Sequence, residues 1–380
     1  MKNLKFRYKL ILILFFGVLL TSLWSNNIYI LVLFSSLTYL ILPLKKYWDG
    51  TAIALLIFSA LYAIMALMTD QYGSGFMLIS YIVAPVAFYR FGRWSMSVYI
   101  DENARQKFLF CIIICYLAAL IYMTIKDILI VGIVNTSRVL LEDPNNDETL
   151  AATLYGLMAS VGIGLIAVLF TKIQNFWLRL GYIILALMSL LVVVHLVNRT
   201  GLVIFVACIV FAYVASIDGK LSKMLLHIIP LCCLLFALIN TVGAGDEILA
   251  AYQQREMDSS VDASQVGGRS EIWSDAIKNL LTHPLGWDRV RYAHNLWLDI
   301  ARVGGWLPLI MFFIVTFNWV KSNIKLVRYF SSPFILTIIS TNISMFLASF
   351  VEPVIDASIL YFVLLLMIWG MTISLSKEKS

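Results

Sequence analysis

What most constrains this chain is a succession of apolar runs, each about as long as a bilayer is thick, from about 10–24 to about 357–375, separated by short polar turns. Crossing the hydrocarbon region takes ~20 apolar residues, and only a helix satisfies every backbone polar group within one such run. Twelve runs can be counted, the ninth at 224–243 and the tenth at 294–319. Composition agrees, since 61% of the 380 residues are hydrophobic and 13% charged, against roughly 45–50% and 25% in soluble domains. One aqueous core could not hide so much apolar surface, which excludes a soluble enzyme. The expected fold is an all-α polytopic membrane bundle of about twelve helices, with 1–380 forming one integral membrane domain.

Basic residues resist translocation, so their distribution sets orientation. With the amino terminus inside, the lysines and arginines from Lys2 and Lys5 through Lys45, Lys46, Arg90 and Arg93 to Lys377 and Lys379 collect on one side, while the short loops 25–27, 69–75 and 352–356 carry none. Both termini are thereby expected in the cytoplasm of a bacterial inner membrane, and the two long polar segments, 126–149 and 244–293, in the periplasm. The basic start leads into 10–24 without a small-residue cleavage site, which reads as an uncleaved first span. The net charge of +6 is spread in small groups and makes no nucleic-acid surface. All five cysteines lie in apolar runs, where neither a disulfide framework nor a metal site is expected.

Within 244–293, Gly267-Gly268-Arg269 precedes a stretch in which Ile272, Trp273, Ala276, Ile277, Leu280 and Leu281 recur at helical spacing, ending at His283-Pro284. This pattern predicts an amphipathic helix on the outer membrane surface, with a glycine-rich start and positive dipole end able to receive an anion beside the bidentate Arg269. The alternative is a surface helix whose arginine pairs with Glu271 or Asp275. Arg199, between two apolar runs, either snorkels to the headgroups or faces a wet cavity with an anionic partner. His294, beside Asn295, is of the residue type that can take a proton from a hydroxyl at neutral pH. His195, His227 and His283 read as structural, and Asp299 and Arg302 at i, i+3 read as an internal ion pair. Glu352 either supports an arginine or acceptor or caps the surface.

Taken in order, Arg199, Gly-Gly-Arg269-Ser-Glu-Ile-Trp, His283-Pro-Leu-Gly-Trp, His294-Asn-Leu-Trp-Leu and Gly304-Gly305 resemble the O-antigen polymerase and O-antigen ligase superfamily of integral membrane glycosyltransferases, over about 195–320. The resemblance implies a periplasmic loop over a cavity that admits an undecaprenyl-diphosphate-linked glycan from among the membrane lipids. It implies that Arg199 and Arg269 hold the donor diphosphate, with Gly267, Gly268 and Asn295 as further substrate contacts, and that His294 activates the acceptor hydroxyl. No metal or other cofactor is implied, transfer inverts the anomeric centre, and a chain-length regulator and a flippase are implied partners. Polymerisation of repeat units into O-antigen, capsular or exopolysaccharide chains is expected, with ligation to lipid A core as the alternative and a polytopic transporter or lipid flippase as the reading of another class. The adjacent Gly304 and Gly305, in place of the family's Gly-x-x-Gly, leave the helix packing below the site open.

Overall fold

A computed structural model describes residues 6–23, 27–43, 45–136, 139–143, 146–216, 245–258, 269–287 and 292–379. The chain is a helical bundle that divides into two compact units. Eight helical segments among the described residues are long and apolar enough to cross a membrane. Of the twelve predicted runs, only 224–243 lies outside the described residues, and each of the others contains or becomes a helix.

The first unit comprises Met1–Tyr116, Glu271–Leu326 and Ser349–Ser380. It holds α1 (Phe6–Leu20), α2 (Asn27–Ile41), α3 (Gly50–Met68), α4 (Gly75–Val98) and the first half of α5 (Glu102–Val131). Helix starts are set by side chains that take up orphan first-turn N–H groups, Asp49 for α3 and Ser74 for α4. The last helix of the chain, Ile359–Glu378, is buried nearly all round. A helix apolar on every face needs such a place, and it packs on α4 through two glycines. A Cβ on Gly92 would lie 2.0 Å from the Met367 carbonyl oxygen, and one on Gly370 would lie 2.2 Å from that of Tyr89. Small residues of this kind let membrane helices approach backbone to backbone.

The second unit comprises Leu117–Ser270 and Val327–Ala348. After α5 comes a hairpin of β1 (Val139–Asp143) and β2 (Asn146–Ala151), antiparallel with Val139 opposite Ala151 and Asp143 opposite Asn146. Then follow α6 (Ala152–Ile163), continued as a 3-10 turn to Phe170, α7 (Phe176–His195), α8 (Arg199–Ser216) and α9 (Gly245–Asp258). The remaining helices are α10 (Arg269–Thr282), α11 (Leu296–Gly304), α12 (Trp306–Leu326), α13 (Pro333–Ser349), α14 (Val354–Ala357) and α15, the buried Ile359–Glu378 helix.

The bundle is all-α as expected, with one short hairpin, 139–151, among the described residues; two other sequence expectations change. The tenth run is two helices, because Gly305 at φ +66 ends α11 and α12 starts afresh at Trp306. Arg90, counted as a loop cation, is fully buried inside α4, with its guanidinium 5.4 Å from the Tyr39 ring and 5.2 Å from the Trp48 ring.

Candidate functional site

His294, Asn295 and Glu352 belong to the first unit and Arg199 to the second. Arg269 is the first residue of α10, whose residues from Glu271 onward belong to the first unit. Gly267, Gly268 and His227 lie outside the described residues. α10 has the predicted amphipathic form. Ala276 and Leu280 are buried while Ile277, Leu281 and, beyond the helix, Leu285 project an exposed apolar row.

His294 has φ +51, a left-handed conformation that costs a residue with a Cβ of order 1–3 kcal/mol and persists only when its surroundings enforce it. The enforcing bonds come from both sides. Asp299 accepts from the Ala293 N–H through Oδ1 at 2.8 Å and from the Asn295 N–H through Oδ2 at 3.2 Å. Trp273 Nε1 donates to the Ala293 carbonyl at 2.8 Å, tying the turn to α10. Asn295, read from the sequence as a substrate contact, is 6% exposed and caps α11 by accepting from the Trp297 and Leu298 N–H groups at 3.1 and 3.2 Å. Its Nδ2 donates to the Phe350 carbonyl at 3.4 Å, two residues before Glu352. Glu352 is 3% exposed and so is no surface cap.

Arg302 is the hub beneath this turn. Its Nη1 donates to Gln71 Oε1 at 2.6 Å and its Nη2 to Asp356 Oδ2 at 2.8 Å, while Nε lies 3.6 Å from Asp299 Oδ1. Tyr292 covers the guanidinium at 5.3 Å. The predicted Asp299–Arg302 pair is therefore present, but its geometry is looser than the Arg302–Asp356 bond. Gln71 also donates to the Trp287 carbonyl at 3.3 Å, so the turn after α3 and the 283–287 segment share one anchor.

That segment is locked onto the α11–α12 break. Trp287 N–H donates to the Arg302 carbonyl at 2.9 Å and Trp306 N–H to the Pro284 carbonyl at 3.0 Å. A Cβ on Gly305 would meet Pro284 O at 2.0 Å, which, together with its positive φ, requires glycine. Between this wall, the end of α3 and α10 lies a cavity of about 830 Å³, lined by Asp70, Asp275, Asn279, His283, Trp287 and Arg302 among others. Carboxylates, amide, imidazole and an indole are the groups that receive a polyhydroxylated ligand, with hydroxyls on the polar atoms and a sugar face on the ring. Ala293 lines the cavity and His294 is the next residue. His283, read as structural, is exposed and lines the cavity, its Nδ1 2.9 Å from Thr282 Oγ1.

α11 has nine residues, too few to cross a bilayer. Burial, reinforced by the neighbouring Asp356, pushes the Asp299 carboxyl up to about 6 despite its two N–H bonds and the nearby Arg302. Asp299 is thus ionised above about pH 6 and takes up a proton as the pH falls through that value, exchanging charge-assisted bonds to the His294 turn for weaker neutral ones.

In the second unit Arg199 opens α8, and its Nη2 donates to the Tyr252 carbonyl of α9 at 3.3 Å. His195 fixes the turn before it, as expected of a structural residue. Fully buried, it places Nδ1 2.9 Å from the Ile133 carbonyl and Nε2 2.8 Å from Asp127 Oδ2. Val197 follows at φ +50, and Asn198 Oδ1 accepts from the Gly201 N–H at 3.0 Å. Among the described residues no group of three His, Cys, Asp or Glu side chains is placed to hold a metal ion. No protein-family model matches the chain, and a search of curated proteins returns no significant similarity.

Proposed function

We propose that the chain is a membrane glycosyltransferase that joins lipid-diphosphate-linked oligosaccharide repeat units into a surface polysaccharide at the periplasmic face of a bacterial inner membrane. One observation carries the reading furthest: a left-handed histidine, His294, is held by Asp299 and Trp273 beside a cavity whose lining suits a sugar. The motif order from Arg199 to Gly305 supports the same class.

In this mechanism His294 takes the proton from an acceptor hydroxyl as that oxygen attacks the anomeric carbon, and the bond to the lipid diphosphate breaks on the opposite face, with inversion. Arg199 and Arg269 stabilise the charge that grows on the leaving diphosphate. Arg302, with its donors committed to Gln71 and Asp356, holds the cavity floor in place.

Deletion of the gene tests the reading on a polysaccharide gel. Core carrying a single repeat is the expected result. Bare core with accumulated lipid-linked polymer would assign ligation to lipid A core instead, and unchanged polysaccharide would remove the chain from this chemistry. Arg269→Ala and Arg199→Ala should each lower turnover by about one to two orders of magnitude, the worth of a charge-assisted bond of roughly 1.5–3 kcal/mol. Lysine should restore only part of it, because it lacks the planar fork. Wild-type polymer length and rate in Arg269→Ala protein present at normal amount would withdraw that residue from the donor site.

A further inference from the structure

At the other end of the first unit, the start of α3 and the ends of α12 and α15 enclose a second cavity, of about 300 Å³, lined by Asp49, Gly50, Thr51, Asn318, Ser322 and Ser376 together with Lys321, Lys325 and Lys377. Its charge is one-sided. Asp49 is the single carboxylate of the lining and is already committed, to Arg93 Nη1 at 2.8 Å and to Lys377 Nζ at 2.7 Å. Burial works against that carboxylate, but the bond from Lys377, the charge of Arg93 and the Ala52 N–H outweigh it and hold the carboxyl below its usual range. Lys321 and Lys325 form no ion pair among the described residues and are exposed. The positive end of the α3 dipole points into the same space.

The apolar surface beside the cavity shows what reaches it. On α12, Ile310, Ile314, Phe317, Lys321 and Ile324 follow one another at alternating steps of four and three, so they form one row along the helix. The four apolar members are exposed, Phe317 and Ile324 at 67% and 66%. α3 presents a parallel row of exposed Ile53, Ile57 and Ile64, in register with Gly50 at the cavity. Two apolar rows therefore run along membrane-length helices and lead to lysines at their ends. A soluble anion would use the lysines and leave both rows uncovered, whereas a phospholipid uses both features.

We infer that this cavity binds the phosphate of an anionic phospholipid whose headgroup carries no cation of its own, such as phosphatidylglycerol, with its acyl chains along the α3 and α12 rows. Lys321 and Lys325 neutralise the phosphate beside the Lys377–Asp49 pair, and Thr51 lines the same space. A choline or ethanolamine headgroup would bring a positive charge against these lysines and is disfavoured. This site is separate from the proposed glycosyl transfer, and its test needs no transfer assay.

The experiment follows thermal unfolding of the purified full-length protein in a neutral detergent, titrated separately with short-chain phosphatidylglycerol, short-chain phosphatidylcholine and glycerol phosphate. Phosphatidylglycerol should stabilise the wild type saturably, and added salt should weaken the effect. Lys321→Gln/Lys325→Gln, which alters two exposed side chains, should unfold normally without lipid and bind phosphatidylglycerol about thirtyfold more weakly, at roughly 1 kcal/mol per lysine. Lys321→Arg/Lys325→Arg keeps the charge and should keep the response, so it serves as the deciding variant should the glutamine protein fail to fold. Equal response to phosphatidylcholine, or undiminished response in the charge-removing variant, overturns the site. Glycerol phosphate binding as tightly as the lipid would make it a soluble-anion site and overturn the lipid assignment.

Discussion

Replacing His294 with alanine is expected to lower the transfer rate by roughly two to four orders of magnitude, the usual worth of a positioned base, while leaving insertion and folding intact. The fold can tolerate the change because the bonds that shape the turn come from the Ala293 and Asn295 main chain, Asp299 and Trp273. Alanine keeps a Cβ and so keeps the same φ cost. His294→Gly adds a discriminating arm, since glycine adopts φ +51 freely but brings no imidazole. Both variants should be inactive if the ring does the chemistry. An active glycine variant would show that the position serves only to bend the chain, and a full rate in the alanine variant would end the assignment of His294 as base. Chelation should leave wild-type activity unchanged; loss of activity that divalent ions restore would replace the proposed metal-free mechanism.

A second large effect is expected far from that chemistry. Gly370→Val and Gly92→Val should each leave little or no folded protein, read as loss of the monodisperse peak and of a cooperative melt after purification. The added Cβ would sit 2.2 Å from the Tyr89 carbonyl oxygen in one case and 2.0 Å from that of Met367 in the other. These are backbone atoms within helices and cannot rotate away, so α4 and α15 would have to separate along their length. α15 is buried on every side and has nowhere to shift. Overpacking commonly costs 1–3 kcal/mol where side chains can adjust, and here ~4 kcal/mol or more is expected. Gly17→Ala is the matched control. A Cβ at that position meets nothing within 4 Å, and the change should be neutral or slightly stabilising. Folded Gly370→Val protein with a wild-type melting temperature would refute the close approach.

Hydropathy made the helices readable, because a run such as 51–68 has one way to satisfy its backbone in lipid, and α3 occupies Gly50–Met68. The spacing from Ile272 to Leu281 likewise became α10. The break in the tenth run was hidden, since 294–319 is apolar throughout and hydropathy is blind to φ. The adjacent Gly304 and Gly305 followed by Pro308 were its only local signal. Around His294 the sequence supplied the residue and its neighbour but not what holds them. Asp299 was legible only as a partner for Arg302, whereas its carboxylate also grips the main chain on both sides of the histidine. Gln71 had no sequence signature at all, because it meets Arg302 across 231 positions of the chain. Arg90 was miscounted because a rule about loops takes no account of a helix that runs on to Val98.

The wall formed by 283–287 has a bearing on how tightly small molecules can be held. It is fixed by the Trp287 and Trp306 N–H bonds and the Gln71 amide before any ligand arrives. A compound entering the cavity therefore need not freeze that stretch of chain, and ordering a loop ordinarily consumes several kcal/mol of gross attraction. At about 830 Å³ the space is within the range that encloses most of a drug-sized molecule. Fragments that engage the polar groups of this lining should accordingly show high efficiency per atom, making this rim a starting point for ligand design.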